Sequence, residues 1–190
     1  YTVVTRPVDK RENYIKRCVA VSGDTLQIRD GILYVNNEKA FVSPTSATFY
    51  NVTTNNVIWD EQTLQEAGVR LNLQNNDQDF VAAANYTYYI NLSLPELEIV
   101  KKLPGFKSAT RDIGTESNVY PYDTVVGKWT MDNFGPLWVP KKGATVPLTP
   151  QNVALYKRII RVYEENEYEE KDGKIFINGK EATTYTFKMD

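Results

Sequence analysis

Polar and apolar positions alternate along "NYIKRCVAVSGD", Asn13 to Asp24, with a period of two. Side chains on a strand point to opposite faces in turn, so Tyr14, Lys16, Cys18 and Ala20 share one side and Ile15, Arg17, Val19 and Val21 the other. The pattern predicts a strand closed by a turn at Gly23-Asp24. A hairpin pattern follows in "DGILYVNNEKA", Asp30 to Ala40, and returns in "DGKIFINGKEA", Asp172 to Ala182. Each has an Asp-Gly turn, four strand residues and a second turn, Asn-Asn or Asn-Gly. Two similar hairpins are the plain explanation of the echo, since such turns are common in β proteins, and a partial duplication is the alternative that one pair does not settle.

Between the hairpins the texture changes. "PTSATFYNVTTNNVIW" and "NLQNNDQD" are polar and Asn-rich, and three helical patterns stand among them. Trp59–Val69 has an acidic first turn and a late glycine. Ser93–Gly105 has Ser93 as N-cap, an early Pro95, late lysines and a Pro-Gly stop. Thr149–Asn166 is the longest, with Thr149 as N-cap, Pro150 first, and Val153, Tyr156, Ile160 and Tyr163 on one stripe. The expected fold is therefore mixed α+β and β-rich: antiparallel β hairpins at 1–40 and 167–190, with an α+β subdomain inserted over 41–166. That insertion is expected to close around one apolar cluster of Trp59, Leu94, Leu97, Val153, Tyr156 and Ile160.

Composition narrows the chemistry. At 190 residues and 42% apolar content the chain is long enough for a real core. No apolar run approaches the roughly 20 residues of a membrane helix, and no signal peptide is visible. The abrupt ends, "YTVVTRP" and "YTFKMD", suggest a piece of a longer protein. A net charge of −2, evenly mixed, argues against nucleic acid as a partner. The seven acids against one base between Asn51 and Val100 are scattered rather than set at metal-ligand spacing. Histidine is absent and cysteine occurs once, so histidine triads, histidine-ligated metals, thiolate zinc and internal disulfides are excluded within this sequence. Cys18 reads as a small buried hydrophobe.

Lys16 is then the natural candidate for a base. It stands between Tyr14 and Cys18 on a face with no other charge. Either its stem covers apolar surface while the ammonium reaches water, or it is desolvated. In the second case its pKa falls well below roughly 10.4 and it serves as a general base.

The segment resembles the lysine-bearing box of bacterial signal peptidase I, approximately [D/N]-Y-[I/V]-K-R-x-[V/I]-[G/A]-x-P-G-D followed by an "LYVNG" hairpin. Asn13, Tyr14, Ile15, Lys16, Arg17, Val19, Ala20, Gly23 and Asp24 fit, and "DGILYVNN" follows in place. Ser22 stands where the box usually has proline. "WTMDNFGPLWVPKKG" and "YTFKMD" are similar to the Bacteroidetes-type subgroup with a long insertion. The resemblance implies a membrane-anchored Ser/Lys-dyad endopeptidase at the periplasmic face of the cell membrane, acting on signal peptides of exported preproteins without a cofactor or metal. It implies Lys16 as general base, Asn13, Tyr14 and Ile15 as substrate-binding residues, and Arg17, Gly23 and Asp24 as structural support. It also implies that the nucleophilic serine, the downstream G-D-N-R box and the membrane anchor lie outside this sequence, because no serine here precedes methionine. The other reading is a non-catalytic β-rich binding module of an exported protein, whose thirteen tyrosines and three tryptophans would suit glycan or protein contacts.

Overall fold

The computed structural model describes residues 17–72 and 78–189. The first hairpin pattern forms β1 (Thr25–Arg29), β2 (Ile32–Val35) and β3 (Glu38–Lys39), joined through left-handed turns at Asp30-Gly31 and Asn36-Asn37. The inserted region supplies β4 (Ala47–Thr54), α1 (Glu61–Glu66), β5 (Phe80–Ala82), β6 (Thr87–Ser93), α2 (Leu94–Val100) and β7 (Phe106–Arg111). Then come β8 (Phe134–Trp138), β9 (Thr145–Pro147), α3 (Pro150–Arg158), β10 (Tyr168–Lys171), β11 (Lys174–Ile177), β12 (Lys180–Glu181) and β13 (Thr184–Thr186). The mixed α+β, β-rich, antiparallel character read from the sequence is what the structure has.

Four antiparallel sheets result. The hairpin sheet runs β3-β2-β1-β8, so the chain returns to β1 after the whole inserted sheet β5-β6-β4-β7. The other two are β10-β11-β12 and the pair β13-β9. The repeated hairpins are alike down to single bonds. Asn36 N donates to Thr25 O and Asn36 Oδ1 accepts from Thr25 N; Asn178 and Glu167 make the same two bonds. Ala40 N donates to Leu33 O as Ala182 N does to Ile175 O.

The two caps read from the sequence, Ser93 and Thr149, start helices where expected, and the first helical pattern starts after a cap that sequence reasoning missed, Asp60. Asp60 Oδ1 accepts from Thr63 N, and Thr149 Oγ1 accepts from Asn152 N. Ser93 precedes α2, with Glu96 Oε2 accepting from both its N and its Oγ.

The expected single cluster is divided in two. Trp59 and Leu97 pack with Tyr50, Val52, Leu64, Val69, Phe80, Tyr88, Ile90, Leu92 and Val100 between the inserted sheet and its two helices. Tyr156 and Ile160 instead pack with Leu155, Tyr185 and Phe187, lined by Leu137 and Trp138. α3 therefore buries its stripe on the returning C-terminal segment, and Leu94, at the first turn of α2, is half exposed. The stripe itself is also altered. A π turn over Ile159–Tyr163 follows α3, and the residue it inserts rotates the register. Tyr163 consequently faces solvent and Glu164 is buried in its place.

Glu164 anchors the C-terminal segment. Its carboxylate accepts from the Tyr185 hydroxyl and from the backbone N–H groups of Lys188 and Met189. Asn166, also buried, donates to Ile160 O and Tyr185 Oη and accepts from Lys188 Nζ. A buried carboxylate persists only with such partners.

Candidate active-site segment and its supports

Lys16, the candidate base, and Asn13, Tyr14 and Ile15, the candidate substrate-binding residues, lie outside the described residues. The description of the box begins at Arg17. Arg17 is exposed, and its guanidinium carbon lies 5.9 Å from the centroid of the Phe41 ring, which is a cation–π contact.

The expected strand does not continue through the described half of the box. Residues 17–21 have no ladder partner among the described residues, and Val19 and Val21 are exposed at 46% and 63%. Cys18, expected to be buried, is a free and exposed thiol whose Sγ contacts Ala20 O at 3.3 Å. Alternation records which faces differ, but a strand forms only where another strand supplies hydrogen bonds and a covering surface. Here none does.

The end of the box is firmly held. Asp24 N donates to Val21 O at 3.0 Å, closing a turn with Gly23 at φ +94°. That geometry requires glycine at the third position and favours proline at the second, where Ser22 stands. Asp24 Oδ2 accepts from Val21 N at 2.9 Å and Oδ1 from Asn36 Nδ2 at 2.8 Å. The Val21 bond first and the Asn36 bond second hold this carboxyl below the usual aspartate range. One side chain thus ties the box to the β2–β3 turn.

β8 holds the other side. Gly23 N donates to Val139 O, Val139 N donates to Asp24 O, and Trp138 Nε1 donates to Gly23 O at 3.2 Å. The same returning segment buttresses the Asp30-Gly31 turn: Gly31 N donates to Asp132 O and Asp30 N to Asn133 Oδ1. Sequence reasoning placed Gly23 and Asp24 at this turn but missed Trp138, Val139, Asp132 and Asn133, all more than a hundred residues away in the chain. The signal available was "MDNFGPLWVP", whose alternating apolar end reads as a strand without naming its partner.

Chemically, the described part of the box offers a fixed turn, a cation at its start and an exposed thiol. Among the described residues no group of histidine, cysteine and carboxylate side chains could hold a metal ion. No helix among them is long and apolar enough to cross a membrane.

The family model described as signal peptidase, peptidase S26, matches residues 2–87. Comparison with curated proteins and with solved structures finds no match. The matched stretch contains the lysine box, the first hairpin and the start of the inserted sheet. Residues 2–87 are thus similar to the signal peptidase S26 family, one of serine peptidases.

Proposed function

We propose that this chain is the part of a signal peptidase I that carries the general base, Lys16, of a Ser/Lys dyad. The parent is a membrane-anchored endopeptidase that removes signal peptides at the periplasmic face, and the likeness of "WTMDNFGPLWVPKKG" and "YTFKMD" to the Bacteroidetes-type subgroup supports reading it as one of these. The observation that carries the reading is the box itself: lysine at the fourth position of Asn13–Asp24, inside the matched region, and followed by the hairpin strands β1, β2 and β3.

The chemistry follows from the lysine. Neutral Lys16 Nζ removes the proton from a serine hydroxyl supplied by a segment outside this sequence, and the serine oxygen bonds to the scissile carbonyl carbon. Collapse of the tetrahedral adduct breaks the C–N bond, and the Lys16 ammonium gives its proton to the departing amine. A water then loses its proton to Lys16 as it attacks the ester, and the Lys16 ammonium returns that proton to the serine oxygen as the signal peptide acid leaves. Acylation and deacylation each need Lys16 neutral at the start, which a desolvated pocket favours. An extended substrate adds as a strand beside Asn13–Lys16, its alternate side chains entering pockets there. Arg17, Gly23 and Asp24 keep the box in place, in keeping with the turn bonds to Val21, Asn36 and Val139.

Replacing Lys16 in the full-length parent tests the reading. Lys16→Ala and Lys16→Arg should both abolish preprotein cleavage, because arginine keeps length and charge but does not release a proton near neutral pH. Near-normal turnover by the Lys16→Arg enzyme would remove Lys16 from the mechanism.

A further inference from the structure

A cleft of about 540 Å³ opens between the hairpin sheet and the inserted sheet. Small-molecule sites fall in the range of roughly 300–1,000 Å³. Its apolar lining comes from Ile32 and Leu33 of β2, Phe41 and Val42 of the following loop, and Leu92 and Leu94 at the β6–α2 junction. Three cations, Arg17, Lys39 and Arg111, line it as well, and no carboxylate does among the described residues. None of the three makes a salt bridge among the described residues.

Arg111 is the built element of this cleft. It projects from the end of β7, and its Nη2 donates to Gly31 O at 3.2 Å, across from one sheet to the other. Gly31 has φ +71°, and a side chain there would begin 2.5 Å from that nitrogen, so only glycine lets the guanidinium lodge against the turn. Arg111 Nε is nevertheless buried without a hydrogen-bond partner among the described residues. Buried polar groups are ordinarily satisfied, so the guanidinium keeps unused donor capacity beside the cleft. At the mouth Phe41 is 76% exposed and Leu94 50% exposed, which leaves apolar surface open beside the charges.

We propose that this cleft binds a single-chain amphiphilic anion, a carboxylate or phosphate monoester carried on an alkyl chain. The head group sits between Arg111 and Lys39, where the planar guanidinium donates in pairs to an oxyanion. The chain lies against Ile32, Leu33, Leu92 and Leu94, with Phe41 and Arg17 at the entrance. Apolar walls alone would take a neutral alcohol equally well, and the cations alone would take inorganic phosphate. The two together select the amphiphile. Of the residues assigned to the lysine box the site takes in only Arg17, at its entrance, and the head-group residues Arg111 and Lys39 have no part in that reading.

Calorimetric titration of the purified chain tests it, with decanoate, decyl phosphate, decanol, decyltrimethylammonium and inorganic phosphate, all below micelle-forming concentrations. Decanoate or decyl phosphate should bind saturably at one site, with decanol and inorganic phosphate at least about tenfold weaker and the cationic amphiphile not saturable. Arg111→Met should weaken binding by about tenfold or more, as expected for loss of a charge-assisted hydrogen bond. Because Arg111 also joins the two sheets, Lys39→Gln, on an exposed two-residue strand, is the second variant, with a loss of roughly threefold to tenfold. Equal binding of cationic and anionic amphiphiles would overturn the proposal, as would unchanged affinity in Lys39→Gln. Adsorption to phosphatidylglycerol vesicles without binding of the monomeric anions would overturn it too, since that is a surface effect and not a site.

Discussion

Replacing Glu96 by glutamine should destabilise the inserted sheet, and the loss should depend on pH in a definite direction. Glu96 is 6% exposed at the first turn of α2. Burial pushes its pKa up, but hydrogen bonds from Ser93 Oγ and N and from Arg70 N and Nε outweigh burial and hold it near 2 against an ordinary 4.5. That difference, at about 1.4 kcal/mol per pH unit, gives about 3.4 kcal/mol as an upper value. Arg70 is 75% exposed and screened by water, which brings the expectation to about 2 kcal/mol. A carboxyl whose folded pKa is depressed stabilises the fold fully above its unfolded value, near 4.5, and loses that contribution as pH falls towards 2. Urea unfolding of the parent sequence and of Glu96→Gln at pH 7, 5.5, 4.5 and 3.5 measures this. The gap between them should be constant from pH 7 to 5.5 and then shrink by about a third or more at pH 3.5. A gap below about 0.5 kcal/mol at pH 7, or one that widens on acidification, would refute the reasoning.

Three further outcomes follow from the same packing. Gly23→Ala should cost about 1–2 kcal/mol in chemical denaturation, because alanine strains at φ +94° in the turn that ends the lysine box; a neutral result would mean that the turn is held by its other bonds alone. Tyr185→Phe removes a hydroxyl that donates to buried Glu164 and accepts from Asn166, and thermal unfolding should show a loss of about 1–3 kcal/mol. Residues 45–113 expressed alone should melt cooperatively, as they hold the whole first cluster, whereas residues 41–166 alone should leave Tyr156 and Ile160 unpacked and bind a hydrophobic dye, since their partners Tyr185 and Phe187 are missing.

Local chemistry was legible where local chemistry decides. The caps Ser93 and Thr149 start helices because their side chains sit beside unpaired N–H groups a few residues on. The Asp-Gly and Asn-Asn or Asn-Gly pairs turn the chain because their residues tolerate left-handed backbone, and both hairpins formed with matching bonds. Within the lysine box the turn at Gly23-Asp24 was legible, because glycine is the residue its left-handed position requires.

What surrounds those elements depended on the fold. Val19 and Val21 alternate like a strand, yet no strand comes beside them among the described residues, so they stay exposed. α3 shows an apolar stripe, but the stripe does not say that Tyr185 and Phe187 will cover it, nor that a π turn will send Tyr163 out and Glu164 in. Val139 and Trp138 brace Gly23 from more than a hundred residues away, and Arg111 reaches Gly31 across two sheets. Periodicity and capping are properties of a few neighbouring residues, so the sequence carries them whole. A face says only that something must cover it, and the covering surface is chosen by the one tertiary arrangement that buries every stripe at once.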